Sequence, residues 1–295
     1  MQAAADIGDL AELQSLLRTW ETQTVDGILA ISKDHEWFTP TVPEQFEIFN
    51  ELNRAQQETK SIYTNWYIFN RLLNAASRSN QVAIVKFLLD QGCAITSSAV
   101  QKAMAKEAYD VLEVYLENGW NINQPIRNNL CPILREVVIN ETKTRWCLEH
   151  GANPNAHSKN KSQDVLSHAA RFASLHILEL LVSYGANFAN SNALHHATDR
   201  KRLDVMRWLL EQQAFPINQR EHEYDTELFL DHQSDGLGTA LHLATKKNCV
   251  ETLRFLLEQG IDSNKPDSRG KTAYDLAQES NDEEIISILE TENKQ

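Results

Sequence analysis

The sequence predicts an all-α solenoid of about eight helix-pair repeats carrying two inserts. Three observations carry that prediction. LHHATDRKRLDVMRWLLEQQA from Leu194 and LHLATKKNCVETLRFLLEQGI from Leu241 are two copies of one unit, each with LHxAT, a polar turn and a second helical pattern ending in LLEQ. Looser copies begin at Leu72, Val100, Leu134 and Leu166, with terminal copies near the start and from Tyr274. From Leu72 onward the copies start 28, 34, 32, 28, 47 and 33 residues apart, which is one period interrupted by one long interval.

Within each copy the apolar residues recur at helical spacing. Leu194, Ala197 and Thr198 share one face of the first helix, and Val205, Trp208 and Leu209 share one face of the second. A single pair of this size has too little core to fold alone. Small residues at 75, 76, 169, 170, 197 and 244 let neighbouring pairs approach closely, so stacking supplies the missing core. Glycines at 92, 119, 151, 185 and 260 follow the second helices, where a left-handed residue releases the chain into the connecting turn.

The period, together with TALHLA at 239 to 244, GANPN at 151 and GANFA at 185, resembles the ankyrin repeat. The resemblance covers nearly the whole chain except the two inserts, and the strongest copies are worded similarly to fungal members of that family. It implies that the His of LHxA, here His195 and His242, is structural and ties neighbouring turns together. It is informative about fold and much less so about function, because one fold serves many partners.

The first insert, residues 21–65, is expected to contain an extra helix over VPEQFEIFNELNRAQQ, with Pro43 in its first turn. From Trp37 to Phe69 the chain holds 8 of its 23 aromatic residues, so this segment is expected to pack on the solenoid, either capping the core or lining a binding groove. The second insert, 220–238, accounts for the 47-residue interval and reads as an acidic surface loop whose ELFLD patch is placed to dock on the groove. Its histidines lack both HExxH spacing and a calcium-loop pattern, so no metal is expected. Residues 270–295 read as a C-terminal capping repeat.

Charge and composition narrow the function classes. With 28 Lys and Arg against 41 Asp and Glu, the net charge of −13 repels phosphate backbones and anionic lipid, so neither nucleic acid nor membrane is the expected partner. No apolar run reaches the roughly 18 residues of a membrane span. The start of the chain lacks the basic and apolar regions of a signal peptide, and a cytoplasmic location is expected. Cys93, Cys131, Cys147 and Cys249 have no zinc-site spacing and are expected to be thiols.

The candidate site is a stripe along the inner helices. One slot, two residues after the leading Leu of each copy, holds Asn74, Lys102, Glu136, His168, His196 and Leu243. The Glu136 assignment depends on aligning a degraded copy, in which Arg135 is the alternative. Arg171 and Phe172, Asp199 and Arg200, and Lys246 and Lys247 flank the slot in the last three of these copies, and Trp120 replaces the Ala of GANPN at the start of a turn overlooking the groove. His196 points away from Leu194, Ala197 and Thr198, and is expected to be open to a ligand while His195 is not.

Two function classes compete. In the first, the concave surface grips a protein or peptide partner without chemistry. In the second, a small organic ligand sits in an ionisable pocket, with His168, His196 and Glu136 as acid and base in a cofactor-free isomerase or cyclase of specialised metabolism. No phosphate loop, nucleophile elbow or dinucleotide fingerprint is present, so no cofactor is expected.

Overall fold

The computed structural model describes residues 1–23, 60–126, 131–158, 164–212 and 215–292. These residues form eight helix pairs, and they divide into two units, Met1–Asn121 and Ile122–Gln295. The described residues contain no β-sheet, only an isolated bridge between His157 and Asp164.

The first unit stacks three pairs: α1 (Gln2–Ile7) with α2 (Leu10–Gln23), α3 (Lys60–Arg78) with α4 (Val82–Asp90), and α5 (Ser97–Ala105) with α6 (Tyr109–Glu117). First helices pack on first helices through Ala75, Ala76, Ala99 and Ala103, all buried. Leu72, Ile84, Leu88 and Leu112 fill the space between the layers, and burying each such side chain is worth about 1.5–3 kcal/mol. Inside this core the hydroxyls of Ser77 and Tyr115 bond to one another. Burial pushes the Tyr115 phenol well above its usual range.

The expected extra helix at 42–57 lies outside the described residues, as do Trp37, Phe38, Phe46 and Phe49. The far edge of the first insert is helical, because α3 begins at Lys60 and runs without a break into the repeat copy at Leu72.

The second unit stacks five pairs. Its first helices are α7 (Ile133–Val137), α9 (Val165–Phe172), α11 (Ala193–Asp199), α14 (Ala240–Lys246) and α16 (Ala273–Ser280). Their partners are α8 (Glu141–Glu149), α10 (Leu175–Ser183), α12 (Leu203–Glu211), α15 (Val250–Glu258) and α17 (Glu283–Glu292). Each first helix packs against the next, and Ala169, Ala197, Ala244 and Ala277 are fully buried there because only a methyl group fits between adjacent backbones.

Local chemistry sets the helix ends. Asn140, Asp164 and Ser174 cap α8, α9 and α10 by accepting backbone N–H groups of Lys143, Ser167 and Ile177. Gly151 and Gly185 leave the second helices at φ +84° and +88° with nothing within 4 Å of a notional Cβ. Glycine is needed there for backbone conformation, not for space.

The second insert is not a bare surface loop. Thr226–His232 forms a short helix, α13, capped by the Asp225 side chain on Leu228 N–H, and a 3-10 turn follows over Gln233–Asp235. The ELFLD patch splits by depth: Leu228 is buried, Phe229 lies 4.9 Å from the Arg220 guanidinium, and Leu230 is exposed. Glu223 accepts from Arg220 at 2.7 Å and from Lys265 at 3.0 Å. Burial opposes its ionisation, but Arg220 and Lys265 prevail and hold its pKa down at about 2. The carboxylates that made this segment look like a solvated loop are partly spent in holding it down.

Candidate functional site

In the repeats that begin at Leu166, Leu194 and Leu241, the residue after the leading Leu is a structural lock. His195 is fully buried and donates from Nε2 to the Gly238 carbonyl at 2.9 Å. His242 accepts from Thr239 N–H through Nδ1 at 3.1 Å and donates from Nε2 to the Lys271 carbonyl at 3.0 Å. One copy earlier, Ser167 Oγ accepts the Asn192 N–H at 3.1 Å. A serine and two histidines at one repeat position thus bind the backbone leading into the following repeat. In the last repeat Asp275 takes this position and bonds to Thr272 N–H and Oγ, its own cap.

Arg135 occupies the same position in the degraded copy, where Leu134 and Val138 are buried as in the other copies. Glu136 therefore aligns with the slot that holds His168 and His196 in later copies, and it is exposed. Of the other slot residues, Asn74 is half-buried and Lys102 exposed in the first unit. His168 and His196 are half-buried in the second. Trp120 is only 7% exposed, so its indole is a buried replacement for the equally buried Ala152 and not a surface aimed at a ligand.

The second unit gathers the remaining candidates at the C-terminal ends of α9, α11 and α14. Asp199 is the hub: Arg171 Nη2 lies 2.8 Å from its carboxylate, Lys247 Nζ 3.0 Å, and Arg200 Nε 3.9 Å. Burial alone would raise its pKa, but Lys247, Arg171 and Arg200 keep it below the usual carboxylate range. Phe172, 47% exposed, lies beside them with the Arg171 and Arg200 guanidinium carbons 5.3 and 5.0 Å from its ring centre. The His168 ring tilts against Phe172 at 4.9 Å between centres.

Both slot histidines are held neutral near pH 7. Burial, then Arg135 and Arg171, push His168 down to about 4. For His196 burial acts first and Arg171 and His195 add to it, again to about 4, against a smaller opposing pull from Asp199. His196 is thus less open than the helical wheel suggested. His195 lies close enough to contribute, and His222 of the second insert adds a further positive influence on it.

The sequence places Phe172 and Lys247 only among the residues flanking the slot, without a binding role, and it misses the role of Asn192. Asn192 accepts His222 N–H through Oδ1 at 2.8 Å and meets His222 Nδ1 through Nδ2 at 2.8 Å, fixing the start of the second insert. Phe172, Arg200 and Lys247 are each six residues past their repeat's leading Leu, so the repeat alignment held the signal for two of the three. Among the described residues no three His, Cys, Asp or Glu side chains converge as a metal site. A surface depression bordered by Lys246, Leu276, Glu279 and Asp282 lies at the junction of the last two repeats, open to solvent and lined by charged and polar groups.

The family model described as ankyrin repeats (3 copies) matches residues 103–221 and 222–294. The chain belongs to the ankyrin-repeat family. Ankyrin repeats generally serve as scaffolds for protein–protein interaction. The ankyrin array is also similar to alpha-latrotoxin-Lg1a of Latrodectus geometricus, at 24% identity over 220 residues, covering 61% of this chain and 16% of the toxin. It therefore spans about a sixth of that relative's length. No described helix of the ankyrin array is long and apolar enough to cross a membrane.

Proposed function

We propose that the second unit is a polypeptide-binding scaffold, and that its first-helix face around Phe172, Arg200 and Lys247 is where the partner sits. The observation that supports this reading is the 47% exposure of Phe172 between two guanidinium groups. Scattered exposed apolar residues are ordinary. An aromatic ring flanked by cations that hold it in place is a preorganised contact surface, and aromatic and Arg side chains are the usual anchors of interfaces. His168, His196 and Arg171 border this platform, and Glu136 extends it along the preceding first helix. Within the cytoplasm expected from the sequence, the partner is a protein or peptide.

A photo-reactive amino acid placed at position 172 or 200 of the full chain tests this in lysate of the source cells. Polypeptide adducts are expected at both positions and not at 179, an exposed site on the second-helix layer. Equal labelling at all three positions, or adducts with small metabolites alone, would contradict the reading.

A further inference from the structure

The slot six residues past each leading Leu reads Phe172, Arg200 and Lys247 in three consecutive repeats. Arg200 and Lys247 are the C-cap residues of α11 and α14, and Phe172 is the last residue of α9. One aromatic and two cations therefore stand in line on adjacent first helices. We propose that this line docks an acidic peptide segment in extended form, with an apolar side chain on Phe172 and carboxylates three and six residues away on Arg200 and Lys247. The inference rests on the polypeptide-binding reading above and adds the chemistry and spacing of the partner.

Three observations carry it. First, the local charge opposes the global one: Arg171, Arg200 and Lys247 surround the single carboxylate of Asp199 on a chain of net charge −13. Second, the cations are not used up. Arg200 is 48% exposed, and its contact with Asp199, at 3.9 Å, is too long for a hydrogen bond. Its guanidinium lies over Phe172 with its donors unspent among the described residues. Lys247, 53% exposed, gives one contact to Asp199 and, among the described residues, retains two of its three donors. Third, the distances fit: packed helices lie about 8–10 Å apart, and three residues of extended chain in the polyproline II form span about 9 Å and bring the side chain back to the same face.

A short acidic segment fits better than a polyanion. Duplex nucleic acid carries a charge about every 1.7 Å, and beyond this small patch it would meet a surface that is negative overall. The same repulsion acts against an anionic membrane. A peptide with two carboxylates meets the patch and nothing else.

The probe is a fluorescein-labelled synthetic peptide with a leucine followed by glutamates three and six residues later, in an otherwise Ser and Ala background. Fluorescence anisotropy on the full chain should show saturable binding that weakens at least about fivefold when glutamine replaces both glutamates, when the spacing is shuffled, or when salt is raised. Arg200→Gln with Lys247→Gln should weaken the acidic peptide by a similar factor and erase its advantage over the glutamine form. Phe172→Ala should remove the preference for leucine over serine at the first position. If the paired substitution lowers the melting temperature, the peptide-side replacements make the same test on the unaltered protein.

Equal binding of acidic and glutamine peptides overturns the proposal, and so does stronger binding of an oligonucleotide or phosphatidylserine vesicles. A random displayed-peptide selection separates this failure from failure of the broader reading. Enrichment of neutral or basic peptides that compete at position 172 overturns only the acidic specificity, whereas absence of any enriched peptide together with absence of polypeptide adducts overturns both.

Discussion

His195 and His196 are adjacent in sequence and differ in burial and in hydrogen bonding. The His195 imidazole is sealed in and donates to the Gly238 carbonyl, so His195→Ala should cost about 1–3 kcal/mol by leaving that carbonyl unpaired in the interior. His196 has no such hydrogen bond among the described residues and is half-buried, so His196→Ala should cost less than about 1 kcal/mol. Urea denaturation of the two variants makes the comparison. Protonation adds a second test. In the unfolded chain His195 titrates near 6.5 and in the folded chain near 4, because burial disfavours the imidazolium. Between those values the unfolded state holds more protons, so this contribution is complete above about pH 6.5 and lost as the pH falls toward 4, up to about 3 kcal/mol. The urea midpoint should drop between pH 7 and pH 5, and His195→Gln should show a smaller drop. Periodicity made His195 legible, because the LHxA pattern recurs. It left the half-burial of His196 and the burial of Trp120 hidden, since both depend on neighbours that a single helical wheel does not contain.

The second insert sits at the level of elements. Its composition suggested a loop, yet the chain forms α13 and anchors it through Asn192 on one side and Lys265, Ser268 and Arg269 on the other. Five residues of ELFLD are too few for a helical period to declare itself, and the anchoring partners are between 30 and 42 residues away. Gly238 closes this insert, and a Cβ there would lie 2.5 Å from both Cβ and Cγ of His242. Gly238→Ala must displace that ring and so weaken its bond to the Lys271 carbonyl. A loss of about 2 kcal/mol or more is expected, within the range for overpacked sites. Thermal melting beside a Gly236→Ala control would not suffice, because Gly236 has φ +73° and any Cβ there is strained for a separate reason. Ser234→Ala, on the exposed 3-10 turn, is the better control and should leave the midpoint nearly unchanged. By contrast, Asn192→Ala should speed amide exchange at residues 221–225 while leaving α10 and α12 protected, which hydrogen-exchange mass spectrometry can resolve.

At the scale of the whole chain, repeat architecture makes stability a sum of neighbour contacts. Ending the chain at Gly270 would remove α16 and α17, deprive His242 of the Lys271 carbonyl and bare the face of α14 that α16 covers. The melting temperature should fall by several degrees, with the lost protection concentrated in residues 240–258 and little change in residues 164–199. The eight helix pairs were legible because the same pattern is written repeatedly; the line of Phe172, Arg200 and Lys247 emerged only when helices from three repeats were placed side by side. The locks also have a direction: Ser167, His195 and His242 each reach forward to the backbone leading into the next repeat, His242 while also holding its own Thr239 cap, whereas Asp275 bonds back to its cap Thr272. On a ribosome, where the amino end emerges first, a newly made repeat from Ser167 onward cannot fasten its lock until the leading turn of its successor has cleared the exit tunnel. Maturation of the nascent chain would then trail synthesis by about 33 residues, the length of one repeat.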